Sequence, residues 1–220
     1  VNPYYPVFLD LRDCPCLVVG GGGIALRKIE GLVAAGARVR VVATEIQAMP
    51  EGVACVLRAF ETQDLDGMRL VIAATDDRRL NAIVAQQARA RGLWVNAVDD
   101  PAECSFILPA LVRRGDLVVA ISTGGQSPLL ARRIKEQLEQ LFGPEYGELA
   151  ALLGELRRQW LEDPRTEPLS YEQRRDVWED ILDLPLVQWM QEGRRDDVMQ
   201  AVKERLMKAI REPQAPGSPL

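Results

Sequence analysis

The feature that most constrains this chain is Cys16-Leu17-Val18-Val19, an apolar run that stops in four consecutive glycines, Gly20 to Gly23. A helical pattern starts at once: Ala25, Ile29, Leu32 and Val33 recur at i, i+4, i+7 and i+8, and Gly36 stands where a helix ends. A strand, a glycine turn and a helix in that order make the first βα unit of a dinucleotide-binding fold. In the pattern G-x-G-x-x-G/A, Gly20 allows the tight turn, Gly22 lets backbone approach a pyrophosphate, and Ala25 takes the third position. The start of the helix then presents free N–H groups and a positive dipole end to phosphate.

The pattern repeats downstream. Arg38-Val39-Arg40-Val41-Val42-Ala43 reads as a second strand and Val53 to Ala59 as a third. Arg69 to Ala74 reads as a fourth strand, apolar without a break after Arg69, as a strand buried on both faces requires. It is followed by Thr75-Asp76-Asp77 and by a helix carrying Leu80, Ile83, Val84 and Ala88 as far as Gly92. Leu93 to Val98 is a fifth strand, ending in Asp99-Asp100-Pro101, and Tyr4 to Leu9 a short edge strand. Strands alternating with helices imply an α/β fold, a Rossmann-like, mostly parallel sheet. After Pro101 the rhythm changes. Ser105 to Val112 and Asp116 to Ser122 flank Arg113-Arg114-Gly115 and read as two antiparallel strands. Ser127 and Pro128 then open a helix that runs to Phe142. From about residue 145 the chain reads as helical: Ser170-Tyr171-Glu172-Gln173 has capping-box form, and Val198, Val202, Leu206 and Ile210 are spaced by four. The expected divisions are a sheet domain over 1–112, a small α+β segment over 113–145, an all-helical domain over 146–212 and a disordered tail over 213–220.

Composition removes several classes of function. A net charge of −5 provides no basic footprint for nucleic acid, and residues 151–212 carry 14 acidic against 11 basic side chains. No run approaches the length of a membrane span and no signal-peptide pattern opens the chain, so a cytoplasmic, membrane-free protein is expected. The four cysteines, Cys14, Cys16, Cys55 and Cys104, fit neither a disulfide framework nor a zinc spacing and read as buried free thiols. There is no histidine at all, which removes histidine bases, Ser-His-Asp triads and histidine metal ligands. No metal site is expected.

Ligands of open α/β sheets lie outside the carboxyl ends of the strands. Here those ends are Gly20 to Gly23, Ala43-Thr44-Glu45, Thr75-Asp76-Asp77 and Asp99-Asp100. Glu45 lies just beyond the second strand and no arginine cluster follows to receive a 2′-phosphate, which favours NAD over NADP. Asp99 ends a buried strand on the ligand side, and two readings stand: a proton acceptor, or an aspartate that caps its own turn. Asp76 and Asp77 read as helix caps, and Asn81 as a solvated polar residue. Ser122-Thr123-Gly124-Gly125, with Ser127, Arg132 and Arg133 beyond it, reads either as a cradle for an anionic substrate group or as a hinge beside a solvated helix face. A short-chain dehydrogenase would need Tyr-x-x-x-Lys, but Ala150 follows Tyr146 at that spacing and Arg175 follows Tyr171.

Five stretches together resemble one family. They are Val18-Val19-Gly20-Gly21-Gly22, Ala73-Ala74-Thr75-Asp76-Asp77 with Asn81, Val95-Asn96-Ala97-Val98-Asp99, Ser105-Phe106-Ile107-Leu108-Pro109 and Ile121-Ser122-Thr123-Gly124-Gly125-Gln126-Ser127-Pro128. The chain is similar to the precorrin-2 dehydrogenases, the N-terminal module of sirohaem synthase, from about residue 4 to residue 180. No methyltransferase region follows, so it resembles the stand-alone form. The resemblance implies a homodimer, joined through a swapped segment that includes the antiparallel strands and the Ser127 helix. It implies NAD-dependent conversion of precorrin-2 to sirohydrochlorin, with Asp99 as the catalytic aspartate. Nucleotide contacts would fall on Gly22, Gly23, Ile24, Thr44 and Glu45, and the glycine pattern and the strand ends add Gly20 and Thr75 to the expected cofactor site. The carboxylate-rich substrate would meet Ser122, Thr123, Gly124, Ser127 and Arg132, with Arg113, Arg114 and Arg133 nearby. Some relatives also insert iron into sirohydrochlorin, which is the alternative reading, and an NAD-sensing protein without catalysis is another.

Overall fold

The computed structural model describes residues 4–211, and the tail expected over 213–220 lies outside them. The chain divides into two compact units. The first comprises residues up to Leu108 together with Gly124–Ser127, and the second comprises Pro109–Thr123 and the described residues from Pro128 onward.

In the first unit the strands β1 (Pro15–Val19), β2 (Arg38–Ala43), β3 (Ala54–Leu57), β4 (Leu70–Ala73) and β5 (Trp94–Ala97) form one parallel sheet. Its order is β3-β2-β1-β4-β5, so the chain steps outward from β1 one way and then the other. The central strands are buried on both faces, and alternation along β1 distributes the two cores. Leu17 and Val19 pack with Val84, Ala85 and Ala88 of α2 (Arg78–Ala90). Cys16 and Val18 pack with Ala25, Ile29 and Leu32 of α1 (Gly23–Ala34). The helices therefore cover opposite faces, and the crevice between the carboxyl ends of β1 and β4 is where a doubly wound sheet receives its ligand.

Three local expectations need correction. Residues 4–9 form no strand, and Tyr5, Val7 and Phe8 are exposed. Ser105 to Pro109 is not extended sheet either, because its polar groups serve β5 instead: Ser105 Oγ accepts from the Val95 N–H (2.7 Å) and Phe106 O accepts from Asn96 Nδ2 (3.0 Å). The thiols are unpaired as expected, but only Cys16 is fully buried and Cys55 is exposed on β3. Burial, with Cys14 beside it, pushes the Cys16 thiol up to about 12.

In the second unit β6 (Ala110–Arg114) and β7 (Leu117–Ile121) form an antiparallel hairpin turned at Gly115, whose φ is 56°. Arg114 ties it to the end of α3 (Pro128–Leu141), donating Nε to Phe142 O (2.7 Å) and Nη2 to Glu139 O (2.9 Å). A Cβ on Gly147 would overlap the Arg114 carbonyl, so glycine there lets α4 (Pro144–Glu162) lie directly on the hairpin turn. The rest is helical: α5 (Tyr171–Leu182), α6 (Leu186–Gln191) and α7 (Arg195–Arg211). Leu149, Leu152, Leu156 and Trp160 of α4 share one core with Ile181, Leu186, Met190, Val198, Val202 and Leu206. The capping box at α5 is formed, Ser170 Oγ accepting from the Gln173 N–H (3.1 Å) and Gln173 Oε1 from the Ser170 N–H (2.8 Å). No helix among the described residues is long and apolar enough to cross a membrane.

Candidate cofactor and proton-transfer site

The four glycines do two different jobs. Gly20 has a φ of 125° and a Cβ there would overlap the Ala74 carbonyl, while a Cβ on Gly21 would overlap the Glu45 carbonyl. These two residues exist to let the β1, β2 and β4 exits touch. Gly20 N–H also donates to Val42 O (3.0 Å), and Gln47 N–H to Gly21 O (3.2 Å). Nothing lies within 4 Å of a Cβ built on Gly22 or Gly23. Gly22 caps α1 with no side-chain hydrogen bond, and no acid occupies the first turn. Uncapped N–H groups beside open space and a positive dipole end are what a pyrophosphate needs, so the residues present fit a dinucleotide. Ile24, 40% exposed at this mouth, offers an apolar surface, and Thr44 and Glu45 are exposed at the β2 end.

At the β4 end Thr75 is held by a residue the sequence misrepresents. Asn81 is buried, 3% exposed, rather than solvated. Its Oδ1 accepts from the Thr75 N–H (3.1 Å) and hydroxyl (2.7 Å), and its Nδ2 donates to Thr75 O (2.9 Å). One helical amide thus satisfies the backbone polar groups of Thr75 as the chain leaves the sheet. Asp77 caps α2, accepting from the Arg79 (2.8 Å) and Leu80 (3.2 Å) N–H groups.

Asp99 follows β5, exposed, with a φ of 60°. A non-glycine residue in the left-handed region costs on the order of 1 kcal/mol and needs surroundings that hold it there. Val98 N–H donates to Ala73 O (2.9 Å), Asp100 N–H to Ala97 O (3.3 Å), and Arg78 Nη2 to Asp99 O (3.2 Å). Lys28, three residues after Ala25 on the rim of the buried α1 stripe, has an ammonium held below the usual lysine range by burial and by Arg27, with Asp99 acting the other way. Lys28 is therefore within electrostatic reach of Asp99. Its position bordering the apolar stripe was the signal available in the sequence. Arg78 and Cys104, which also touch this turn, carried no such signal. Burial raises the Cys104 thiol, with Asp100 and Glu103 adding to the effect and the Ala97 N–H opposing it.

Of the expected site residues, the structure places Gly20, Gly22, Gly23, Ile24, Thr44, Glu45, Thr75, Asp99, Gly124 and Ser127 in the first unit, and Ser122, Thr123 and Arg132 in the second. Ser127 directly precedes α3, after Gly124 and Gly125 with φ of 63° and 83°. The arginines do not act as one group. Arg114 is consumed by backbone carbonyls, whereas Arg132 pairs with Glu136 (3.0 Å) on an exposed helix face. Among the described residues there is no group of three His, Cys, Asp or Glu side chains placed to hold a metal ion.

Comparison with known proteins agrees with this geometry. Residues 7–110 match a family of NAD(P)-binding domains, and residues 114–141 match the central region of sirohaem biosynthesis proteins. Siroheme synthases from Methylococcus capsulatus, Stutzerimonas stutzeri and Pseudomonas entomophila are 42%, 43% and 44% identical over 95%, 92% and 94% of this chain. The chain is thus similar to sirohaem synthases over nearly all of its own length. It spans 44% of the length of each of these three family members. A solved structure of SirC, a precorrin-2 dehydrogenase, superimposes with a TM-score of 0.74 at 28% identity, covering 91% of this chain and all of that one. The match of residues 7–110 to NAD(P)-binding domains is in line with the open glycine turn.

Proposed function

We propose that this protein is an NAD-dependent precorrin-2 dehydrogenase, forming sirohydrochlorin in the cytoplasm. The observation that carries the reading is the meeting, at one edge of the sheet, of an open glycine cradle and an aspartate held in a left-handed turn beside the next strand ends. The fold match to a precorrin-2 dehydrogenase and the siroheme synthase relatives supply the chemistry. Gly22, Gly23 and Ile24 receive the pyrophosphate through backbone N–H groups, with Gly20 making the turn beneath them. Glu45 holds the adenosine ribose hydroxyls beside Thr44, and this favours NAD over NADP. Thr75, fixed by Asn81, lines the β4 side. Bound NAD supplies a hydride acceptor. Asp99 accepts the proton that the macrocycle loses as it is oxidised, and its exposure leaves the carboxylate open to a large substrate. Ser122, Thr123, Gly124, Ser127 and Arg132 bind substrate carboxylates.

The protein acts as a homodimer, with residues 113–145 as the dimerisation segment. Leu129, Leu130 and Leu141 of α3 are 75%, 51% and 62% exposed, apolar surface that a second copy would cover. Four unpaired thiols suit a reducing compartment. The test is anaerobic turnover of enzymatically generated precorrin-2 with and without NAD, followed by absorbance. NAD-dependent product is expected, and Asp99→Ala is expected to lose about 100-fold or more in kcat, in the range of a lost general base. NAD binding without turnover by the unaltered protein would defeat the proposal, and turnover surviving in the variant would remove Asp99 from it.

A further inference from the structure

The turn that carries Asp99 is built around a sulfur atom. Cys104 Sγ accepts from the Ala97 N–H (3.2 Å) and from Asn96 Nδ2 (3.5 Å). Its S–H faces two carbonyls, those of Ala97 and Asp100, each at 3.2 Å. The thiol thus bridges the last residue of β5 to the residue just after Asp99, closing a loop whose far end returns through a 3-10 turn at Pro101–Glu103. From the other side Arg78, the first residue of α2, grips the Asp99 carbonyl itself (3.2 Å). Asp99 sits between these two attachments with the φ of 60° that a free chain leaves readily.

We propose that Cys104 and Arg78 are positioning residues that clasp the Asp99 turn and aim its carboxylate. Sulfur suits the task through its reach. The long Cβ–S bond lets one side chain span both the Ala97 and Asp100 carbonyls, and serine at 104, with its shorter Cβ–O bond, would hold them less closely. Arg78 holds the Asp99 backbone carbonyl, so the contribution we assign to it is orientation of the turn. Cys104, at the heart of the loop, is not aimed at the ligand side as a nucleophile, and its raised thiol remains protonated and able to donate.

This inference rests on Asp99 being the proton acceptor, and one of its two readouts is independent of that reading. The first readout is steady-state kinetics of precorrin-2 oxidation by the full chain. Cys104→Ala is expected to lower kcat about tenfold or more while leaving the KM for NAD within about twofold, as misplacement of a reacting group does. Cys104→Ser should recover part of the loss. Arg78→Gln, a surface change that leaves folding intact, should show the same split to a smaller degree. The second readout is hydrogen exchange at the Ala97 and Asp100 amides in the ligand-free protein. Faster exchange confined to residues 97–104 in Cys104→Ala is expected. Unchanged kcat in both Cys104→Ala and Arg78→Gln, or unchanged exchange at these amides in Cys104→Ala, overturns the clasp. If the unaltered protein does not oxidise precorrin-2, the functional reading fails and exchange alone judges the clasp.

Discussion

At the scale of single residues, neighbouring glycines separate stability from binding. Gly20 is needed by the fold, since its φ of 125° and its packing on the Ala74 carbonyl admit no Cβ. Gly20→Ala is expected to destabilise the protein on the order of 3 kcal/mol, read as a lower denaturation midpoint. Gly22 has ordinary extended backbone, with a φ of −85°, and open space where its Cβ would point. Gly22→Ala should cost less than about 1 kcal/mol of stability, the scale of an N-cap change. Its NAD affinity should nevertheless fall about tenfold or more, because the methyl group occupies the approach of the pyrophosphate. Calorimetric titration beside thermal melts distinguishes the two outcomes, and equal loss of stability in both variants would refute the division. Asn81 teaches the complementary lesson. Its polar side chain in an amphipathic helix is indistinguishable from a solvated one until the chain folds Thr75 back against it.

At the scale of elements, the link from β3 to β4 depends on a charged pair. Asp64 is 4% exposed, and its carboxylate accepts from Arg58 Nη1 (2.8 Å), Arg58 Nη2 (2.7 Å) and the Glu61 N–H (2.8 Å). The Arg58 guanidinium holds the carboxyl below the usual aspartate range, against the opposing effect of burial. A group with a folded pKa below its unfolded value contributes stability that is complete above the unfolded value and is lost as pH falls through the folded one. The Arg58–Asp64 contribution is therefore present at neutral pH and fades below about pH 4. Arg58→Ala should lower the urea midpoint at pH 7, and the gap to the unaltered protein should narrow as the pH drops below that value. A gap that stays constant with pH would show that Arg58 acts by packing alone. Elements also explain where extended pattern misleads. Phe106-Ile107-Leu108 looks like a strand, but Ser105 and Phe106 spend their hydrogen bonds on β5, and Pro109 has no N–H for a ladder.

At the scale of the whole molecule, α3 fully buries only Ala131 and leaves Leu129, Leu130 and Leu141 exposed, apolar surface that a partner would cover. Sedimentation of the full chain is expected to show a dimer, and Leu130→Glu should shift it to monomer at micromolar concentration while far-UV circular dichroism stays unchanged. A monomeric unaltered protein would refute the assembly. The helical core around Trp160 and Ile181 is a separate cluster from the two cores of the sheet, consistent with a second unit that packs its own apolar surface.

The parallel sheet, its helices and the glycine turn were legible in the sequence, because buried strands must be continuously apolar and a βα crossover repeats that signature at fixed spacing. The capping residues Asp77 and Ser170 were legible for the same local reason, since a cap bonds to backbone two or three residues away. Tertiary structure alone decided which glycine packs against backbone and which faces open space. It also decided that Asn81 is buried, that Arg114 is spent on the end of α3, and that Cys104 sits at the hub of the Asp99 turn. Each of these depends on groups brought together across the fold, and hydrogen-bond satisfaction between distant residues leaves no periodic trace in a sequence.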